Sequence, residues 1–298
     1  MDKRFQNDIN GWLVMDKPYG MGSTQLVGAL KRLFHPMKIG HAGTLDPLAS
    51  GVLPIALGKA TRTISFVMDG QKVYQFKIKF KTATTTDDAE GEVCETSDVV
   101  PTPQQIRDIL PRFTGKIEQV PPVYSAIKLN GRRAYDLARR GEQAEIKPRL
   151  VQIDRLALLE IANEEALLEV ACGKGTYVRS LGRDIAKALG SCGHITYLRR
   201  TQCGPFSIKE SKTLENLNKI TYSDLPAAGL IPVEAVLTDI LELAVTEHEA
   251  RALGHGQPLK KKGLVDGGFY KATFNGGLIA FVTVSGEMVR PTKVFKQF

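Results

Sequence analysis

The chain has 298 residues, of which 43% are hydrophobic. This length predicts about two domains of roughly 100–200 residues each, and the apolar content is enough for buried cores, which excludes an intrinsically disordered protein. Lys and Arg outnumber Asp and Glu by 40 to 32, and the net charge of +8 favours a polyanionic partner such as nucleic acid. The polar N-terminus and the lack of an apolar run of about 18 residues predict a cytoplasmic protein, neither secreted nor inserted in a membrane.

Four cysteines, Cys94, Cys172, Cys192 and Cys203, are widely spaced and include no C-x-x-C pair. This pattern predicts neither a disulfide framework nor a zinc ribbon, and it fits a reducing compartment. Cys192, His194 and Cys203 form an alternative set of metal ligands. Their spacing matches no zinc pattern, so we expect buried thiols and no metal.

The first half of the sequence predicts strands and helices in alternation. A helix is expected to begin near Ser23 or Thr24, where a hydroxyl side chain can cap it. In 73–80 apolar and polar residues alternate, which places Tyr74 on the apolar face of a strand. The other predicted elements are strands at 11–15 and 52–57 and helices at 59–68 and 103–113, the last of which opens with Thr102-Pro103.

In the second half of the sequence, the pattern of predicted elements changes near residue 245. Before that point the sequence predicts elements of a larger domain, and after it short strands separated by glycine-containing turns predict a compact β module. We therefore divide the chain into domains at 1–245 and 246–298. The predicted elements are strands at 150–159 and 166–172, a helix at 176–189, helical linkers at 214–225 and 233–241, and strands at 268–274, 277–285 and 287–294.

The excess of positive charge is concentrated in two segments. Residues 122–149 carry seven basic and three acidic side chains, and residues 246–298 carry eight and four. The first segment is predicted to leave the sheet as a long excursion with one short helix at 134–140. A charge run of this kind is usually a solvated face, but Tyr124 and Tyr135 beside the arginines favour an RNA-binding insertion.

One carboxylate, Asp46, lies in a segment that is otherwise apolar and rich in glycine, 40–51. The glycines allow a ligand to approach the backbone closely, and Pro47 keeps Asp46 out of helical geometry. Such a segment is typical of a reactive site. The alternative is a plain Asp-Pro turn punctuated by glycines, and the residues alone do not decide between the two.

The same segment resembles a known catalytic motif. His41-x-Gly43-x-Leu45-Asp46-Pro47-x-Ala49-x-Gly51 is similar to the motif of the TruB family of tRNA pseudouridine synthases, in which the aspartate is catalytic. The resemblance implies an α+β fold with a mixed, mainly antiparallel sheet flanked by helices, and a small C-terminal β-barrel like the PUA domain. It continues in the family's order through Asp16-Lys17-Pro18, Tyr74, 84–91, 120–128, 175–179 and 197–200.

The resemblance implies catalytic roles for three residues. Asp46 is expected to be essential to the chemistry. Arg179 is expected to be its cationic partner, because an arginine can hold a carboxylate bidentately while it stays protonated. Tyr74 is expected to stack on the flipped base, with a further part in proton removal from C5. An ordinary core tyrosine remains the alternative for Tyr74.

Four more residues are implied in substrate binding. Leu198 is expected to form an apolar wall under the base, although a plain core leucine fits the pattern as well. His41 is expected to lie against the displaced RNA loop. Lys17 is expected to brace the catalytic loop, and Arg62 to lie beside the substrate backbone.

The implied reaction is the isomerisation of the T-loop uridine, position 55 of tRNA, to pseudouridine. It breaks the N1–C1′ bond and rejoins the base through C5 without net redox change, so no cofactor is expected. Asp46 attacks the sugar or the base, or abstracts a sugar proton, and the sequence does not choose among these routes. The expected partner is the T stem-loop of tRNA, and the expected enzyme is a monomer without an obligate protein partner.

Two alternatives to a stand-alone synthase stay open. One is a tRNA-folding chaperone of the same shape. The other is the guide-RNA-dependent branch of the same superfamily, which acts with accessory proteins.

Overall fold

The structure is a computed structural model that describes residues 6–125, 128–129, 132–133, 135, 140 and 146–296. Its strands, numbered in chain order, are Gly11–Lys17 (β1), Ile39–His41 (β2), Ala49–Leu57 (β3), Lys72–Phe80 (β4), Thr82–Thr84 (β5), Val93–Thr96 (β6), Gly115–Gln119 (β7), Lys128–Leu129 (β8), Arg132–Arg133 (β9), Arg149–Ala162 (β10), Glu165–Cys172 (β11), Gly193–Cys203 (β12), Phe206–Ser207 (β13), Glu242–Ala244 (β14), Leu259–Lys260 (β15), Phe269–Phe274 (β16), Gly277–Ser285 (β17) and Met288–Val294 (β18). The described helices are Ser23–Phe34 (α1), Ile64–Asp69 (α2), Pro103–Ile109 (α3), Val178–Ala188 (α4), Leu214–Leu217 (α5) and Glu247–Gly254 (α6).

A nine-stranded sheet forms the centre of the fold. Its order is β1-β3-β12-β4-β11-β10-β7, with β2 on β3 and β13 on β12. The pair β3 and β12 is parallel, and the other strands of this sheet pair in antiparallel fashion. The mixed, mainly antiparallel α+β fold expected from the sequence is confirmed.

Helices cover the apolar residues of this sheet. Leu26 and Leu30 of α1 are fully buried, as are Leu181 and Ile185 of α4. Burial of one such aliphatic side chain stabilises the fold by about 1.5–3 kcal/mol. The apolar face predicted for β4 lies under α4, where Phe76, Ile78 and Phe80 are also fully buried. No helix in the described part of the chain is long and apolar enough to cross a bilayer.

The five C-terminal strands form a second sheet, in the order β14-β16-β17-β18-β15, that curls into half a barrel. The three strands predicted after residue 245 are present with nearly the predicted bounds. This sheet has a core of its own, to which Leu253 of α6 contributes, but it also packs on the rest of the chain. Phe281 and Phe295 share an apolar cluster with Trp12, and the ring of Phe66 lies 5.2 Å from that of Phe281.

Several local predictions differ from the structure. Gly22, not Ser23 or Thr24, occupies the N-cap position of α1. The linkers predicted as helices contain only α5 and short 3₁₀ turns, and the predicted helices at 59–68 and 103–113 are each partly 3₁₀. The helix predicted at 134–140 lies mostly outside the described residues.

The alternative metal site has no geometric basis. His194 and Cys203 lie near opposite ends of β12, about 30 Å apart at the rise of an extended strand. Cys172, Cys192 and Cys203 are buried, as expected for core thiols, whereas Cys94 is exposed.

Candidate active site

Asp46 lies on the loop between β2 and β3, and other segments hold the backbone of this loop from several sides. The Ala49 N–H donates to the Asp46 carbonyl at 3.1 Å, which closes a turn with Pro47 at its second position. The Pro47 carbonyl also accepts from the Gly20 N–H at 2.9 Å. The Asp-Pro segment is therefore a turn, and the turn fixes where the Asp46 carboxylate points.

Ser23 and Lys17 support the same loop. The Ser23 hydroxyl donates to the Leu45 carbonyl at 2.8 Å and accepts from the Leu45 N–H at 2.9 Å, which explains why it does not cap α1. The Lys17 ammonium is buried and donates to the carbonyls of Pro18, Met21 and Pro47. Burial lowers the pKa of Lys17 to about 8, although the nearby Asp46 carboxylate opposes this shift.

Arg179, in the first turn of α4, is the cationic partner of Asp46. Its Nε lies 2.9 Å from Asp46 Oδ2, and the side chain of Arg179 is 6% exposed against 40% for that of Asp46. The Nε–H does not point at that oxygen well enough for a hydrogen bond, so the contact is an ion pair. The buried guanidinium places a positive charge beside a half-exposed carboxylate and leaves that carboxylate open to a ligand.

The contact is not bidentate, because the rest of the guanidinium binds elsewhere. Arg179 Nη1 donates to the Thr86 carbonyl and Nη2 to the Tyr124 carbonyl, each at 2.9 Å. A second carboxylate, Asp88, lies 3.6 Å from Nη1 and accepts hydrogen bonds from the Thr86 hydroxyl and the Glu90 N–H. Arg179 therefore joins the Asp46 loop to the 84–91 turn and to residue 124.

Tyr74 and Arg200 form the floor of the site. The Arg200 guanidinium lies 6.0 Å from the centre of the Tyr74 ring, and it donates to the carbonyls of Val52 and Gly43 at 2.7 and 3.0 Å. Burial raises the pKa of Tyr74 to about 12, although the Arg200 charge opposes this shift. The Tyr74 hydroxyl therefore keeps its proton at neutral pH.

A cavity of about 1010 Å³ opens over these groups. Asp46, Tyr74, Arg179 and Leu198 all line it, so four of the seven residues singled out in the sequence meet around one space. Leu198 reaches this position because β12 pairs in parallel with β3, which sets Leu198 opposite Ala49 just after the loop. The volume exceeds that of one nucleotide base and suits a drug-sized or larger ligand.

Lys17, His41 and Arg62 are not among the residues that line this cavity. Lys17 lies beneath the loop. His41 is on β2, where burial and, to a smaller extent, the charge of Arg200 lower its pKa. Arg62 lies in the 3₁₀ turn before α2, with its guanidinium 5.8 Å from the centre of the Phe295 ring, so it faces the C-terminal sheet.

The sequence interpretation missed four supporting residues. Asp88 and Arg200 lie in two segments that carry the resemblance, 84–91 and 197–200, but the sequence assigned no role to either residue. Arg200 follows Leu198 by two positions, and strand alternation places both side chains on one face, a signal that was available. Ser23 and Lys72 left no comparable signal. Lys72 is buried at the cavity, where its ammonium donates to the carbonyls of Val67, Met68 and Gly70 at the end of α2.

The sequence is similar to those of a known enzyme family. Residues 31–178 match the family model described as TruB family pseudouridylate synthase (N terminal domain), and residues 179–238 match the tRNA pseudouridylate synthase B C-terminal domain. The tRNA pseudouridine synthase B of Bradyrhizobium diazoefficiens is 49% identical over 304 residues, covering 98% of this chain and 88% of the relative. That of Rhodospirillum rubrum is 46% identical, covering 96% of each chain.

The fold is also similar to that of solved structures. A chain of a Cbf5-Nop10-Gar1 complex superimposes with a TM-score of 0.73 at 26% identity, covering 96% of this chain and 85% of that one. A chain of an H/ACA RNP bound to a substrate RNA gives a TM-score of 0.72 at 25% identity, with 96% and 85% covered. Together with the family-model matches and the identity to full-length relatives, these findings show that the chain belongs to the TruB family of pseudouridylate synthases and is an isomerase.

Proposed function

We propose that this enzyme isomerises the T-loop uridine of tRNA, position 55, to pseudouridine, and that it does so without a guide RNA. The tRNA substrate is supported by relatives that are 46–49% identical and are called tRNA pseudouridine synthase B. The observation that carries the chemistry is the ion pair between Arg179 and Asp46 at the cavity wall. The specificity for position 55 rests on the sequence resemblance.

Asp46 supplies the carboxylate that the reaction needs. Attack on the sugar, attack on the base and removal of a sugar proton all require Asp46 in its charged form. Arg179 is the positioning residue: its ion pair holds a positive charge beside the carboxylate, and its bonds to the Thr86 and Tyr124 carbonyls keep the guanidinium in place. The bonds to the loop backbone orient the carboxylate before the substrate arrives, which is how enzymes reduce the cost of reorganisation.

The target uridine must leave its RNA loop to reach Asp46. Tyr74 and Leu198 line the cavity beside Asp46 and offer an aromatic ring and an apolar side chain for the flipped base. As a base, Tyr74 would have to lose a proton that it holds with a pKa of about 12. We therefore assign Tyr74 to stacking and to hydrogen-bond donation.

Two features favour a stand-alone enzyme over the alternatives. The chain is far more similar in sequence to the tRNA synthases than to the Cbf5 chain of the Nop10-Gar1 complex, which is 26% identical. A tRNA-folding chaperone needs no charged pair at the wall of a cavity, whereas isomerisation of uridine needs the Asp46 carboxylate there.

The test uses the purified protein alone and an unmodified tRNA transcript. We expect pseudouridine at position 55, detected by nucleoside chromatography and mapped on the transcript. A transcript with cytidine at that position is the matched control and should give no product. Absence of product until guide RNA and accessory proteins are added would contradict the proposal and favour the guide-dependent alternative.

A further inference from the structure

Arg149, the first residue of β10, lines the cavity and has no anionic partner among the residues that the structure describes. Its Nε and Nη2 are shielded from solvent, and within the described part of the chain neither has a hydrogen-bond acceptor. The guanidinium lies 4.9 Å from the centre of the Tyr177 ring. Shielding a charged group from water without a partner is costly, so a small movement of the Arg149 side chain toward an anion in the cavity that it lines would regain a counter-charge.

The position of Arg149 is fixed by its neighbours. Arg149 pairs with Gln119 of β7, and the Gln119 amide binds the Tyr177 backbone at both ends: it accepts from the Tyr177 N–H at 2.8 Å and donates to the Tyr177 carbonyl at 3.1 Å. The same backbone leads directly into α4 and Arg179. Tyr177 therefore connects the Arg149 guanidinium to the residue that ion-pairs with Asp46.

The carboxylates at the cavity and an uncharged base are both less suitable acceptors for Arg149 than a phosphate. The carboxylates of Asp46 and Asp88, which also line the cavity, are already engaged by Arg179. An uncharged base would leave the guanidinium without a counter-charge. A phosphodiester offers a charge and two terminal oxygens in a geometry that the planar guanidinium matches.

We propose that Arg149, held on the Tyr177 ring, binds a phosphodiester group of the substrate RNA next to the flipped uridine. The inference rests on the proposed function for the identity of the RNA. The proposed contact between Arg149 and the RNA backbone lies inside the cavity and positions the target nucleotide relative to Asp46. A phosphate contact positions RNA without reading its sequence, so the contact contributes to affinity and register and not to base choice.

The test combines a variant of the protein with a chemical change in the RNA. The protein is Arg149→Gln in the Asp46→Asn background, which prevents turnover during binding measurements. The RNA is a T stem-loop with one neutral methylphosphonate, placed in turn at each phosphate flanking the target uridine. We expect Arg149→Gln to weaken binding of the unmodified RNA about tenfold and to reduce the salt slope by about 0.7.

The decisive result is coupling between the two changes. At one flanking phosphate, the methylphosphonate should weaken binding by protein that retains Arg149 and have no further effect on Arg149→Gln. Arg149→Lys should keep the salt slope while losing part of the affinity. Arg155→Gln is the matched control, because Arg155 lies on the same strand but is paired with Glu169 at 2.6 Å. The methylphosphonate should weaken binding by Arg155→Gln as much as it weakens binding by protein with Arg155.

Two outcomes distinguish a failure of the proposed function from a failure of the Arg149–phosphate contact. If wild-type protein neither binds nor modifies the T stem-loop, the proposed function fails. If wild-type protein modifies it, and each methylphosphonate weakens Arg149→Gln as much as protein with Arg149, the phosphate contact is wrong and Arg149 only supports Tyr177. Unfolding curves for each variant exclude misfolding as the cause of lost affinity.

Discussion

The Asp46 loop and the C-terminal sheet are both held against the central sheet, but by different kinds of contact. The loop is held by polar groups: the Ser23 hydroxyl, the Lys17 ammonium and the Arg200 guanidinium all bind its backbone. The C-terminal sheet is held by apolar contacts: Phe281 and Phe295 share a cluster with Trp12, and the ring of Phe66 lies 5.2 Å from that of Phe281. Hydrogen bonds fix direction, whereas apolar contacts tolerate small shifts. The loop should therefore be far more sensitive to single substitutions than the sheet.

The largest effect is expected from Gly51→Ala in β3, just after the Asp46 loop. Gly51 has φ +101°, and a Cβ there would clash with the Arg200 carbonyl oxygen. Overpacking and positive φ together predict a loss of about 2–5 kcal/mol in the free energy of unfolding. Gly190→Ala is the control, since Gly190 has φ +72° but nothing within 4 Å of its added Cβ, and it should lose only about 1–2 kcal/mol. Equal losses in urea unfolding would contradict the close packing of β3 on β12.

Lys17→Met tests the support beneath the loop. It leaves carbonyls without a donor, so we expect the free energy of unfolding at pH 7 to fall by about 1–3 kcal/mol. The folded protein releases the Lys17 proton near pH 8 and the unfolded chain near 10.5, so high pH favours the folded state in this interval. The stability difference should grow in favour of the wild type as pH rises from 8 to 10.5. A difference that is constant over this range would show that the Lys17 pKa is not lowered.

Arg179→Lys keeps the charge beside Asp46 but cannot also reach the carbonyls of Thr86 and Tyr124. We expect the single-turnover rate to fall at least about tenfold, on the order of 1.4 kcal/mol in the barrier, with a smaller change in RNA affinity. Arg183→Lys is the control on the same helix, because Arg183 pairs with Asp87 and not with Asp46. A native rate for Arg179→Lys would rule out Arg179 as the positioning residue.

The smallest effect is expected in the C-terminal sheet. Deleting the sheet would expose the apolar cluster around Trp12, so charge substitutions are the cleaner test. Lys260→Gln combined with Lys262→Gln removes two exposed charges, and each lost phosphate contact should lower the salt slope of RNA binding by about 0.7–0.9. The single-turnover rate of bound RNA should not change. An unchanged slope would mean that these two lysines do not touch the RNA backbone.

The sequence predicted best where local residues decide the structure. The turns at Asn275-Gly276 and Ser285-Gly286 ended the C-terminal strands near their observed bounds, and alternation in 73–80 placed Tyr74 correctly on the apolar face. Asp46 stood out because a lone carboxylate in an apolar, glycine-rich segment is unusual. Arg179 was found only through the family resemblance.

Contacts between distant segments could not be predicted from the sequence. The Arg200 guanidinium binds the Gly43 carbonyl, 157 positions away, and the Ser23 hydroxyl binds Leu45, so neither contact leaves a local pattern. The Arg62 guanidinium lies 5.8 Å from the centre of the Phe295 ring, a contact that the sequence did not indicate, and its place beside the substrate backbone stays a prediction. The predicted linkers failed as helices because short amphipathic segments take their structure from packing more than from propensity.

In the proposed mechanism, the Asp46 carboxylate performs the chemistry in a cavity that other residues build. Asp46→Asn tests it most directly, because the change is nearly isosteric and keeps the turn at Pro47. We expect T stem-loop affinity to stay close to that of the wild type, while tritium release from C5-labelled uridine falls below detection. Release at even a few per cent of the wild-type rate, after deamidation back to aspartate is excluded, would contradict it.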